Sequence, residues 1–129
     1  MNVSYNPYQE SYKTELTSLI KLLYEEDPEG TTMTEGKINS TIQHLTSNPQ
    51  SGKILVITSN EIIIGYSILI NYWSNEFGGA ILFLDELCIK PEYRRQSIGT
   101  KFIQHLIAES QSGYKAIFLE VFPSNKRIQ

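Results

Sequence analysis

Cysteine is almost missing from this chain: Cys88 is the only one in 129 residues. One thiol excludes an intrachain disulfide and a cysteine-built zinc site, and no metal centre is expected. An excess of one charge is missing too, since 11 Lys and Arg face 14 Asp and Glu for a formal net charge of -3. A nucleic-acid partner calls for a basic face, so this balance argues against one. No apolar run approaches the ~18 residues of a membrane span. The polar N-terminus lacks the pattern of a signal peptide, so the expected compartment is cytoplasmic with no membrane partner. Internal repeats and low-complexity tracts are also lacking. The length suits a single domain over residues 1–129 with a modest core.

What is present centres on one stretch, Leu82 to Lys101. The run Ile81 to Ile89 is apolar except for Asp85 and Glu86 and reads as a strand. Pro91 cannot donate to a sheet ladder and should end it. From Ile98 the apolar residues take helical spacing, with Ile98, Phe102 and Leu106 in line and Ile103 and Ile107 beside them. The loop between carries Arg94, Arg95 and Gln96. A cationic loop feeding a helix start is suited to phosphate or carboxylate, because free N–H groups and the helix dipole both favour an anion. The alternative is a solvated loop whose arginines serve solubility.

The rest of the chain frames this stretch. Gln9 to Glu25 reads as a helix with Tyr12, Leu16, Leu19, Ile20 and Leu23 on one stripe. The acidic run Glu25-Glu26-Asp27 then ends it before Pro28 and Gly30; it is either a solvated loop or an attraction for a cationic substrate. Thr32-Met33-Thr34-Glu35 fits a capping box, with Ile38, Ile42 and Leu45 as the apolar face of a second helix. Lys53–Thr58 and Glu61–Tyr72 read as strands joined by a hairpin at Ser59-Asn60. The continuous runs Ile62-Ile63-Ile64 and Ile68-Leu69-Ile70 point to cover on both faces, and Gly65 to a bulge or close packing. With the central strand these form an antiparallel meander. A helix from Ile98 to about Gln111, stopped near Gly113, then crosses over to a strand at Lys115–Phe122 that should lie parallel to the central one. The expected class is α/β (α+β): a mixed sheet with helices on both faces.

Pro91-Glu92-Tyr93-Arg94-Arg95-Gln96-Ser97-Ile98-Gly99 resembles the acetyl-coenzyme A loop of the GNAT N-acetyltransferase superfamily. That family's pattern is Gln/Arg-x-x-Gly-x-Gly/Ala between a strand and a helix. Arg94 matches the first position and Gly99 the last, while Ser97 stands where the first glycine is expected. Leu119 to Asn125 is similar to the end of the family's fifth strand.

The resemblance implies transfer of an acetyl group from acetyl-coenzyme A to an amine of a small molecule or peptide by direct attack. It places Leu87, Cys88 and Ile89 beside pantetheine and the acyl group. It sets Arg94, Arg95, Gln96, Ser97, Ile98, Gly99 and Thr100 at the pyrophosphate, largely through backbone donors, and Asn125 near the cofactor. Glu86 is the carboxylate favoured as base, the alternative being structural pairing or solvent exposure. Family members commonly use a later tyrosine as acid and continue with two more strands. This chain ends at Gln129, so the expectation is that both are lacking and that Tyr93 or Tyr72 could substitute. The apolar Lys115–Phe122 strand would then sit at an open edge, which predicts a homodimer there. Cys88 reads as a buried small hydrophobe, His44 and His105 as surface residues, and Tyr93 as turn packing. Two other readings stay open: an acyl-coenzyme A binder without catalysis, and a dimerisation module without cofactor.

Overall fold

A computed structural model describes residues 1–27 and 30–119. Five strands form one sheet in the order β1-β2-β3-β4-β5: β1 (Val3–Pro7), β2 (Gly52–Ser59), β3 (Ile62–Ser74), β4 (Gly79–Ile89) and β5 (Ala116–Leu119). The first four are antiparallel neighbours, and β5 lies parallel to β4 with Ile81 opposite Ala116 and Leu84 opposite Leu119. Three helices cover the sheet: α1 (Lys13–Glu25), α2 (Glu35–Ser47) and α3 (Ile98–Ser110). This is the mixed α/β architecture expected, with helices on both faces.

The two faces carry separate cores. Leu16, Leu19 and Ile20 of α1 and Ile38, Ile42 and Leu45 of α2 pack on Ile54, Val56, Tyr66, Ile68 and Cys88. Ile98, Phe102 and Leu106 of α3 pack on Leu55, Ile57, Leu69, Leu82, Leu84 and Ile89 from the other side. The continuous apolar runs of β3 therefore do serve two faces, as expected of strands buried on both sides.

Several local expectations are corrected. Strand β1 was not anticipated, because Val3-Ser-Tyr-Asn-Pro is short and half polar; it is fixed by pairing with β2, opposite Leu55 to Ser59. The first helix opens as a 3-10 turn at Glu10–Tyr12, so α1 proper starts later than Gln9. Thr34, not Thr32, caps α2: its backbone is extended and its Oγ1 accepts from the Lys37 N–H at 3.2 Å. A cap side chain accepts from the second or third helical N–H, and the bond to Lys37 N–H decides between the two threonines. The hairpin turn is Asn60-Glu61, both at positive φ (51° and 66°), the geometry that matches strand twist. Of the Lys115–Phe122 strand, Ala116–Leu119 is seen, and Glu120 onward lies outside the described residues.

Two bulges shape the sheet. In the β2–β3 ladder Ile57 faces Gly65 while Thr58 faces Ile63, leaving Ile64 extra. In the β3–β4 ladder Ile68 faces Glu86 while Leu69 faces Leu84, leaving Asp85 extra. Strict alternation would put Leu84 and Glu86 on one face. The bulge undoes this: Leu84 stays on the α3 side, whereas the Glu86 side chain turns toward α1. Ser67, fully buried on β3, donates from Oγ to the Glu86 carbonyl at 2.9 Å and holds the bulge in place.

Candidate active site

Beyond the bulge no neighbour of β4 on the β5 side falls among the described residues. The two pair only along Ile81–Leu84 among the described residues. The Lys90 N–H donates to Ile64 O at 2.8 Å, so Lys90 points its amide toward β3. Strand alternation then turns the Leu87 and Ile89 amides to the opposite, β5-side edge. The Ile89 carbonyl confirms this direction, because it accepts from Arg94 Nε at 2.7 Å. Among the described residues nothing pairs with this strip of strand backbone beside the bulge, which carries half-buried Leu87 and buried Ile89 on the α3 face.

Past Ile89 the chain makes a 3-10 turn at Pro91–Tyr93 and enters α3. Arg95 (φ 64°) and Ser97 (φ 62°) are both left-handed. None of the backbone N–H groups of Arg95–Thr100 donates to another described residue. Left-handed residues set into a turn make successive N–H groups converge into an anion-binding concavity, and the α3 dipole adds to it. Ile98 and Gly99 are buried and anchor the loop; Arg95, Gln96, Ser97 and Thr100 are exposed. These donors fit a diphosphate, and the β4 strip fits the amides of a pantetheine arm.

The Arg94 side chain serves another purpose. Its guanidinium makes two bonds to Glu26, at 2.9 Å and 2.7 Å, besides the one to Ile89 O. The first cationic position of the motif is therefore a strut between the loop and the end of α1, and its own N–H donates to Pro91 O at 3.2 Å, which leaves an anion to the N–H groups that follow it. Glu26, from the acidic run of α1, is its partner.

Ser97 takes the φ that glycine adopts at little cost. A left-handed L-residue costs about 1–2 kcal/mol, and the Ser97 side chain caps nothing in return. Ser97→Gly should raise stability by about 1 kcal/mol without weakening anion binding. Urea unfolding checks this, and a destabilised variant would show that the hydroxyl matters.

Glu86 lies on the other side of β4. Tyr66 donates to its Oε1 at 2.7 Å, and Tyr24 of α1 donates to its Oε2. Burial pushes the carboxyl above its ordinary range; the two phenol donors pull it down, and neighbouring Asp85 raises it. Cys88 is buried beside it, and burial pushes its thiol up to about 11 despite Arg94 nearby. It is a protonated core residue at neutral pH, as its sequence context suggested.

The tyrosines singled out from sequence lie elsewhere. Tyr72 pairs with Ile81 at the far end of β3, and Tyr93 packs beneath the turn against the α3 core. Tyr24 and Tyr66 were missed. One signal was available for Tyr24, which extends the Leu16, Ile20 stripe by a further four residues. Asn125 lies outside the described residues.

No curated protein matches the sequence. The chain is similar in structure to a possible acetyltransferase from Clostridium difficile 630 (TM-score 0.80, 17% identity, covering 98% of this chain and 84% of that one). It is also similar to a GNAT family acetyltransferase from Staphylococcus aureus (TM-score 0.76, 19% identity, 100% and 93%). A third similar structure is glucosamine-6-phosphate N-acetyltransferase from Arabidopsis thaliana (TM-score 0.74, 16% identity, 98% and 86%). At these identities the likeness establishes the fold. The family model described as "Acetyltransferase (GNAT) family" matches residues 13–129. With a match over nearly its whole length, the chain belongs to the GNAT family of acetyltransferase enzymes.

Proposed function

We propose that this protein transfers the acetyl group of acetyl-coenzyme A directly to an amine of a small molecule or peptide. One observation carries the reading: backbone amides with no β5-side partner among the described residues run from the β4 strip at Leu87 and Ile89 to the loop at Arg95–Thr100. That is the succession a thioester, a pantetheine arm and a diphosphate call for. An N–H of the β4 strip polarises the thioester carbonyl, and the loop holds the diphosphate by backbone donors. Glu86 is the base for the acceptor, its burial bringing its pKa nearer the working range of a proton acceptor. The glucosamine-6-phosphate enzyme among the structural relatives supports a small amine as acceptor. A cytoplasmic setting belongs to the same proposal, since the acyl donor is an intracellular metabolite. Calorimetry with acetyl-coenzyme A tests it: saturable heat is expected, and no heat at millimolar ligand would overturn the site assignment.

The proposed assembly is a homodimer at the β5 edge. Phe118 and Leu119 are 39% and 37% exposed, and the Phe118 ring lies 5.7 Å from exposed Phe77. Light scattering should give twice the chain mass, and Phe118→Lys should return the monomer. A monodisperse wild-type monomer would sink the dimer and leave the transferase reading intact.

A further inference from the structure

Glu86 is held between two tyrosines that differ in access. Tyr66, on β3, is 0% exposed and donates to Oε1 at 2.7 Å. Tyr24, in the last turn of α1, is half-buried and donates to Oε2. The other titratable groups that act on this cluster are Asp85 and Cys88. A phenol has one hydrogen and two lone pairs. With its hydrogen committed to Glu86, Tyr24 presents only acceptor capacity to an incoming molecule. Tyr66 has the same bond and no surface on which to meet one.

We infer that Tyr24 is a catalytic residue: its hydroxyl oxygen accepts the proton of the acceptor's ammonium group while its own hydrogen passes to Glu86 Oε2. Tyr66 is a positioning residue that fixes the carboxylate from below. The inference rests on the transferase reading above and adds the route by which the amine becomes neutral. Burial and the Glu86 carboxylate hold the Tyr24 phenol far above its ordinary range. It is therefore no tyrosinate base at neutral pH, and it conducts the proton rather than keeping it.

The step balances. The ammonium gives one proton to Tyr24, which gives one to Glu86, leaving a neutral amine, a neutral phenol and a carboxylic acid. The amine lone pair forms the C–N bond at the thioester carbonyl. The C–S bond breaks with its electron pair left on sulfur, and the surplus proton on nitrogen goes to that sulfur. Glu86 returns its proton to solvent through the same hydroxyl.

The test uses the full chain, saturating acetyl-coenzyme A and two probe nucleophiles. n-Butylamine is an ammonium ion at neutral pH and needs the relay. Hydroxylamine is already neutral and does not. Tyr24→Phe should lower butylamine turnover about 100-fold and leave hydroxylamine turnover and acetyl-coenzyme A affinity unchanged. The butylamine rate of the variant should recover as rising pH deprotonates the amine in solution. Should the phenylalanine variant not fold, Tyr24→Gln carries the same test, because an amide can donate to Glu86 but cannot pass a proton on. Equal loss on both nucleophiles would make Tyr24 structural and overturn the inference. No loss on either, with Glu86→Gln still losing butylamine turnover, would overturn the relay and leave Glu86 as a direct base. A wild-type protein that binds acetyl-coenzyme A and acetylates neither probe would overturn a simple amine as acceptor, and the relay argued for it.

Discussion

Gly65→Val will remove a large share of the protein's stability. A Cβ at this position would stand 2.4 Å from the Cys88 carbonyl oxygen and 2.9 Å from Ile89 Cδ1. The first neighbour is backbone, so no rotamer change relieves it. Overpacking a core costs about 1–3 kcal/mol where side chains can adjust; here β4 itself must move. The loss should reach the upper end of that range or exceed it, out of a net stability of about 5–15 kcal/mol. Soluble yield and a urea melt report it. Any folded fraction should also bind acetyl-coenzyme A more weakly, because the displaced residues are Cys88 and Ile89 of the strip offered to the pantetheine arm. A valine variant within about 0.5 kcal/mol of wild type would mean that β3 and β4 can separate freely at this point.

Glu86→Gln is expected to move activity and stability in opposite directions. Loss of the proposed base should lower kcat by about 10²–10⁴-fold, with acetyl-coenzyme A affinity retained because the loop proposed for the diphosphate lies on another element. The stability effect follows from the raised carboxyl. Its ordinary value is 4.5, and burial holds it higher in the folded protein. The folded state therefore keeps the proton more tightly than the unfolded chain does. That stability is full below 4.5 and is lost as pH rises through the raised value. Glutamine never loses it. The variant should melt higher than wild type at neutral pH, and the difference should shrink as pH falls toward 4.5. Thermal melts across this window decide the matter. A variant less stable at neutral pH than at acid pH, relative to wild type, would show that the two tyrosines compensate the buried charge fully.

The parts of the molecule visible in the sequence are those set by local periodicity. The Ile98, Phe102, Leu106 spacing marked α3, and the unbroken runs around Gly65 marked a strand buried on two faces; both effects act within one element. The strand-to-helix position of the loop from Arg94 to Gly99 was legible because Pro91 and the helical spacing from Ile98 bracket it. What escaped depends on partners distant in the chain. Strand β1 exists through its ladder with β2, not through any pattern in Val3–Pro7. The Asp85 bulge is a property of two strands, and reading β4 alone could not tell which face Glu86 would take. Arg94 looked like a ligand for an anion until folding brought it to Glu26, 68 positions away. The same distance problem hid Tyr24, whose hydroxyl meets a carboxylate 62 positions later.

The last turn of α1 does two jobs through residues only two apart. Tyr24 reaches the Glu86 carboxylate and Glu26 grips Arg94. Each residue added to or removed from a helix turns everything after it by about 100°. A one-residue insertion within α1 ahead of Tyr24 would swing both side chains off their partners together. Length changes downstream of Asp27, in the connection toward α2, do not disturb this phase. Such changes leave the Tyr24–Glu86 and Glu26–Arg94 contacts in phase.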